Sequence, residues 1–231
     1  MNKIYTFFAC LFSLGSFAQL ENFYVFGGLG SAYYQGDLNS KVFPSAKVLN
    51  FSLKGGVGYH LNEKFGVLAH FAKSSLNASD LDVKNNAVKV ARGISFKSPL
   101  TEIGLNFKIR SVLSLDEKYI NYILLGANYF EFNPTLLQEA DPAYIPSPLE
   151  NGYQTSGVNV PLGFGFGMWL KGNLRIVWET AVHLTYTDYI DGVSQNGNPV
   201  YKDAFVDSHV MLLYSFTEPL AQKDKYQKKY K

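Results

Sequence analysis

The segment Leu174–Tyr186 puts Leu174, Ile176, Trp178, Val182, Leu184 and Tyr186 on one face and Arg175, Glu179, His183 and Thr185 on the other. A period of two is the mark of a strand, because successive side chains leave a pleated backbone on opposite sides. The same alternation runs from Val48 to Leu61, where Leu49, Phe51, Leu53, Val57 and Tyr59 oppose Asn50, Ser52, Lys54, Gly56, Gly58 and His60. It returns from Thr101 to Ile109, where Ile103, Leu105, Phe107 and Ile109 oppose Glu102, Gly104, Asn106 and Lys108. Less regular runs at Phe23–Tyr34, Phe65–Leu76, Tyr119–Phe132, Val158–Leu170 and Ala204–Phe216 bring the expected strands to eight.

The connections decide what such strands build. Short links at Asn62–Lys64, Ser111–Lys118 and Lys171–Asn173 alternate with long polar ones at Gln35–Lys47, Asn77–Arg92, Asn133–Gly157 and Thr187–Asp203. Short turns at one end and long loops at the other are the pattern of an outer-membrane barrel. A soluble eight-stranded ligand barrel would turn its apolar face inward and would have no reason to sort its loops by length. The expected fold is therefore all-β, an eight-stranded antiparallel transmembrane β-barrel of the outer-membrane type. Tyr33, Tyr34, Tyr59, Phe65, Tyr119, Phe130, Phe132, Trp169 and Tyr186 lie near strand ends, where interfacial aromatic girdles belong.

The first residues fit export. One lysine, Lys3, precedes an apolar run that ends in Ser16 and Ala18, which predicts a secretory signal peptide over residues 1–18 cleaved after Ala18. Cys10, the one cysteine, lies within it, so the mature chain has neither disulfides nor thiol chemistry. Residues 19–216 form the expected barrel domain, and 217–231 a short basic periplasmic tail. Aromatics make up 16% of the chain and charged residues 17%, below the usual quarter. A net charge of +2 gives no reason to expect nucleic acid.

The motifs "YYQGDL" (Tyr33–Leu38), "EIGLNFKI" (Glu102–Ile109), "YFEFNP" (Tyr129–Pro134), "VPLGFGFGMWL" (Val160–Leu170) and "ETAVHLTYTDYIDGVS" (Glu179–Ser194) follow one another in an order that resembles small outer-membrane barrels of the Bacteroidota. More narrowly, the chain resembles a group catalogued as a domain of unknown function (DUF6089-like). The resemblance implies relatives that include the small barrel subunit of the type IX secretion machine. His183 and Gly192 stand where that group often has Arg and Asp. "LLYSF", with Tyr214 and Phe216, looks like the aromatic-ended last strand read by barrel-assembly machinery.

Three sets of candidate residues follow. Lys54, Glu102, Lys108, Arg175, Glu179 and His183 face the interior of the expected barrel, where an unpaired charge costs several kcal/mol, so they are expected to pair across strands and plug the lumen. Gly36 and Asp37 in the first long loop, with Asp188, Tyr189 and Asp191 in the fourth, are expected to anchor the outer rim, the aspartates by accepting backbone N–H bonds. Asp188 and Asp191 lack the alternating acids and closing Glu of a calcium loop, so no metal and no cofactor is expected. His183 with Asp188 or Asp191 and Ser194 is the one set that could support hydrolysis, and no nucleophile elbow accompanies it. The expected role is a non-enzymatic scaffold or accessory subunit of an envelope assembly. It would be closed to solutes, embedded in outer-membrane lipid, and joined to other envelope subunits through its loops or tail. A surface-binding barrel and a rim-located lipid-modifying or proteolytic enzyme are the alternatives.

Overall fold

A computed structural model describes residues 22–36, 38–39, 46–82, 89–90, 93–110, 119–138, 154–192 and 202–216. The leader, Asp37, Ser194 and the tail lie outside these residues. The strands are β1 (Phe23–Gln35), β2 (Asn50–His60), β3 (Phe65–Ser79), β4 (Ile94–Arg110), β5 (Tyr119–Phe132), β6 (Thr135–Gln138), β7 (Ser156–Lys171), β8 (Leu174–Thr185) and β9 (Ala204–Ser215). Eight of them close a ring in the order β1-β2-β3-β4-β5-β7-β8-β9, with β9 back on β1 and every pairing antiparallel. The short β6 pairs with the outer end of β4 instead.

Register sets the shape. Partners of Phe23 run through Tyr59, Val67, Phe107, Leu125, Leu162, Val182 and Val206, and return to β1 at Tyr33, ten residues further on. Ten residues at about 3.3 Å against eight strands at about 4.8 Å give a tilt of about 40°, within the range for closed barrels. Because ten is even, the two faces keep their phase around the ring, and every residue on that path is an outward apolar one. Phe23 to Tyr33 therefore spans about 33 Å along the strand and about 25 Å along the axis, the height of a bilayer-facing apolar band.

The outward face carries a band of large apolar side chains, with Phe51, Ile103, Leu105, Ile123, Trp178, Leu184 and Val210 all exposed. An aromatic belt rings the short-turn end, where Phe23 meets Tyr59 at 4.7 Å, Phe65 stacks on Phe107 at 5.5 Å and Tyr119 on Phe166 at 5.8 Å. Tyr214 and Phe216 join it, edge to face at 5.8 Å, both half-exposed on the outward side. Tyr34, Phe130 and Phe132 are not girdle residues, because parity turns them inward and they are buried. Trp169 likewise packs against the interior.

One wall is taller than its periodicity announced. The strand expected at Thr101–Ile109 begins at Ile94, just past the expected loop Asn77–Arg92, β3 runs on to Ser79 within that loop, and β6 continues the wall from within the expected loop Asn133–Gly157. On this extension the outward residues turn polar: Lys73, Ser75, Asn77 and Ser79 on β3 face Thr101, Pro99, Lys97 and Ser95 on β4. Beyond Phe71 and Ile103 the wall therefore leaves the apolar band and stands in water.

Candidate functional site: the filled lumen and its outer rim

Inward side chains stack in three layers. At the short-turn end, Tyr24, Phe26, Leu68, Ile120, Tyr122, Leu124, Val177, Met211 and Leu213 form an apolar cluster. At the long-loop end, Ala32, Tyr34, Leu38, Leu76, Ile94, Phe96, Leu100, Phe130, Phe132, Ile190 and Phe205 form another. The charged layer lies between them.

That layer contains five of the six expected lumen residues and joins them in one network. Glu179 accepts from Lys54 at 3.0 Å and from the Tyr122 hydroxyl, and it lies 3.5 Å from Lys108. Lys54 is also 3.5 Å from Asp207. Glu102 accepts from Asn159 at 2.7 Å and contacts His70 at 3.0 Å and His183 at 3.1 Å. His183 bridges onward to Asp207 at 3.3 Å and stacks flat on Phe205 at 4.2 Å. Three carboxylates thus face two lysines, with His183 wedged between Glu102 and Asp207. Asp207, His70, His209 and Tyr122 were not anticipated in this network. Strict parity along Phe205, Asp207 and His209 was the available signal in β9, obscured by apolar Phe205 on the inward face and polar Ser208 on the outward one.

Arg175 departs from the expectation of a carboxylate partner. Its guanidinium donates to Ser215 Oγ at 2.8 Å and to His60 Nε2 at 3.2 Å, and it lies 4.3 Å over the Trp169 ring. The reason is position: Arg175 opens β8 at the short-turn end, a layer below the three acids.

Inward glycines make room for this packing. A Cβ on Gly58 would lie 2.0 Å from the Tyr24 ring and one on Gly165 2.1 Å from the Tyr122 ring, so the face that mixes charge with glycine is a large-to-small interleaving that fills a narrow barrel.

At the other end the stretch "TDYIDG" folds inward as a seal. Ile190 is fully buried in the outer cluster and Tyr189 packs against it, while Gly192 turns the chain at φ +77° with its N–H on Tyr189 O at 3.0 Å. Gly36 sits against the same group, since a Cβ there would meet the Tyr34 hydroxyl at 2.1 Å. The first-loop and fourth-loop rim residues are thereby brought together, through Tyr34. The N–H of Ile190 is accepted by Asp203 Oδ2 at 2.9 Å, and Asp191 accepts from the Tyr34 phenol at 2.7 Å. Asp203 was missed because it stands at the end of a polar loop, where nothing in the local pattern marks burial. His183 and Asp191 are engaged separately, one with Glu102 and Asp207 and the other with Tyr34. Among the described residues no group of three His, Cys, Asp or Glu could hold a metal ion.

The Tyr34 hydroxyl also lies 2.5 Å from Asp203 Oδ1, yet a phenol has one hydrogen to donate. Holding both contacts requires a proton on a carboxyl, and burial together with the charges of Asp191 and Asp188 pushes the Asp203 carboxyl well above its ordinary value of 3.8. An acid raised in the folded loop stabilises that loop while protonated, and the advantage is lost as pH rises from the ordinary value through the raised one. The motion of a spin label at Lys202→Cys is therefore expected to increase from pH 5 to pH 9. Asp203→Asn, which reproduces the protonated form, should flatten that response. A wild-type signal independent of pH would show that the carboxyl is solvated.

A family model described as Domain of unknown function (DUF6089) matches residues 2–219. Among solved structures, Neisserial surface protein A is similar at 12% identity and a TM-score of 0.52, over 84% of this chain and 97% of that one. Ail, the attachment invasion locus protein of Yersinia pestis, aligns at 13% identity and a TM-score of 0.44, over 84% of this chain and 98% of that one. A major outer membrane protein from Thermus thermophilus aligns at 14% and 0.46, over 83% and 98%. No curated protein matches. The architecture is that of an eight-stranded outer-membrane β-barrel.

Proposed function

The chain belongs to the DUF6089 family, and from that premise we propose that it is a non-enzymatic outer-membrane barrel, exported by its leader, serving as a scaffold or accessory subunit of an envelope assembly of the secretion or barrel-assembly type. The observation that carries this reading is the filled lumen: a charged layer lies between two apolar clusters, and the fourth loop packs Ile190 into the outer one. A barrel plugged along its axis has no path for solutes, so its work is done by its surfaces. The polar wall of β3, β4 and β6 above the apolar band favours a second reading, a barrel that binds a surface or ligand through its outer end.

Purification of the tagged protein from its native envelope in mild detergent separates the two. A subunit is expected to copurify with envelope proteins in fixed stoichiometry through successive columns. A barrel recovered alone at native expression level would overturn the subunit reading and leave the outer surface as the working part. Unchanged lipid A masses in a deletion strain are expected on either reading, whereas a missing modification would make the protein an enzyme.

A further inference from the structure

The short-turn mouth of the barrel holds a small cavity of about 20 Å³ whose wall carries Lys108, Arg110 and Arg175, with His60, Tyr24 and Tyr122 beside them and no carboxylate among the described lining residues. Elsewhere in the lumen, among the described residues, a lysine meets an acid. Lys108 is the exception that joins the two regions, since it reaches Glu179 at 3.5 Å on one side and faces the cavity on the other. Arg175 is 4% exposed, and its Nε has no hydrogen-bond partner among the described residues. A buried guanidinium N–H left unmade costs free energy on the order of 1–3 kcal/mol, so an arrangement that retains one is complete when an acceptor arrives.

The guanidinium is also held in place. Ser215 and His60 fix one edge, and the rings of Trp169 at 4.3 Å and Tyr24 at 5.6 Å hold its plane. Because a guanidinium only donates, His60 Nε2 is the acceptor in their contact and adds no positive charge of its own. Arg110, at the lip, donates to the backbone carbonyl of Glu63 at 3.2 Å. The site is thus a pre-oriented donor with two further cations around it, built by residues from β2, β4 and β8.

We propose that this mouth is an anion site that takes the tip of one carboxylate. A volume near 20 Å³ holds about one water-sized group, which admits a carboxylate end and excludes a nucleotide or a sugar phosphate. Fork geometry suits guanidinium to carboxylate. The carboxylate is an acidic side chain offered by another molecule at the short-turn end. The inference does not depend on the subunit reading, because binding is measured on the isolated barrel.

The test uses the folded full-length barrel in detergent, with sodium acetate as the probe and the fluorescence of Trp169, stacked on Arg175, as the readout, in a Trp178→Phe background. Sodium chloride titrated in parallel controls for ionic strength. The barrel is expected to give a saturable change with acetate that chloride does not match. Arg175→Gln should raise the half-saturating concentration at least roughly tenfold, the scale of one charge-assisted hydrogen bond. Arg110→Gln, at the exposed lip, should raise it less and keeps the test open if Arg175→Gln does not fold. The absence of a saturable acetate response, or an equal response to chloride, would overturn the proposal.

Discussion

Glu179→Ala is expected to lower the heat-unfolding midpoint, read as the folded-to-unfolded gel shift, more than any other single charge removal in the lumen. The side chain is almost wholly buried and holds Lys54 at 3.0 Å, Lys108 at 3.5 Å and the Tyr122 hydroxyl. Its loss leaves two ammonium groups between apolar layers with Asp207 as the nearest remaining acid, 3.5 Å from Lys54. Breaking a buried pair in this way costs about 3–5 kcal/mol, because the stranded charge keeps its desolvation penalty. Glu131→Ala is the control: it removes an exposed carboxylate whose one contact is the Tyr129 hydroxyl at 3.3 Å, and exposed pairs contribute about 0–1 kcal/mol. Adding Lys54→Met to Glu179→Ala should recover part of the loss, since the double variant removes charge in balance. Equal midpoints for the Glu179 and Glu131 variants would mean that water reaches the charged layer.

Gly165→Val is the second large effect. A Cβ at this position meets Tyr122 Cζ at 2.1 Å and its hydroxyl oxygen at 2.5 Å, so the ring must leave and take with it the bonds to Glu179 and Lys108. Overpacking alone costs about 1–3 kcal/mol, and the lost bonds to a charged network add to it. The variant is expected to give a sharply reduced folded band or a midpoint below that of Tyr122→Phe, which loses the hydroxyl but keeps the ring. Gly27→Ala provides the contrast on the outward face, where a Cβ has no atom within 4 Å, and should leave the midpoint unchanged or slightly raised. A Gly165→Val barrel as stable as Gly27→Ala would show that the lumen is loosely packed.

Much of the fold and part of the site could be read from residue order. Alternation placed all eight barrel strands, and the phase it assigned put Lys54, Glu102, Lys108, Arg175, Glu179 and His183 inside, where all six are buried. The misreadings have different causes. Tyr34, Phe130, Phe132 and Trp169 were assigned to the girdle by nearness to strand ends, although Tyr33 and Tyr34 cannot both face outward on one strand. The extension of β4 to Ile94 fell outside the alternating run at Thr101–Ile109 because its outward residues, Ser95, Lys97 and Pro99, include no large apolar side chain above the apolar band. Asp203 carried no local signal at all.

The sequence by itself determined the class of this protein, its strand count and which side of each strand is dry, because a two-residue period is a local property that survives without neighbours. Only the tertiary structure decided who meets whom. Lys54 and Glu179 are 125 residues apart and Tyr34 and Asp203 are 169 apart, and their meeting depends on a ten-residue stagger summed over eight pairings. A shift of two residues at any one pairing would preserve every inside and outside assignment and yet give Lys54 a different partner. For that reason the interior charges were legible as a set, while the pairing within the charged layer, the packed rim and the cluster of cations around Arg175 at the inner mouth emerged only once the ring was closed.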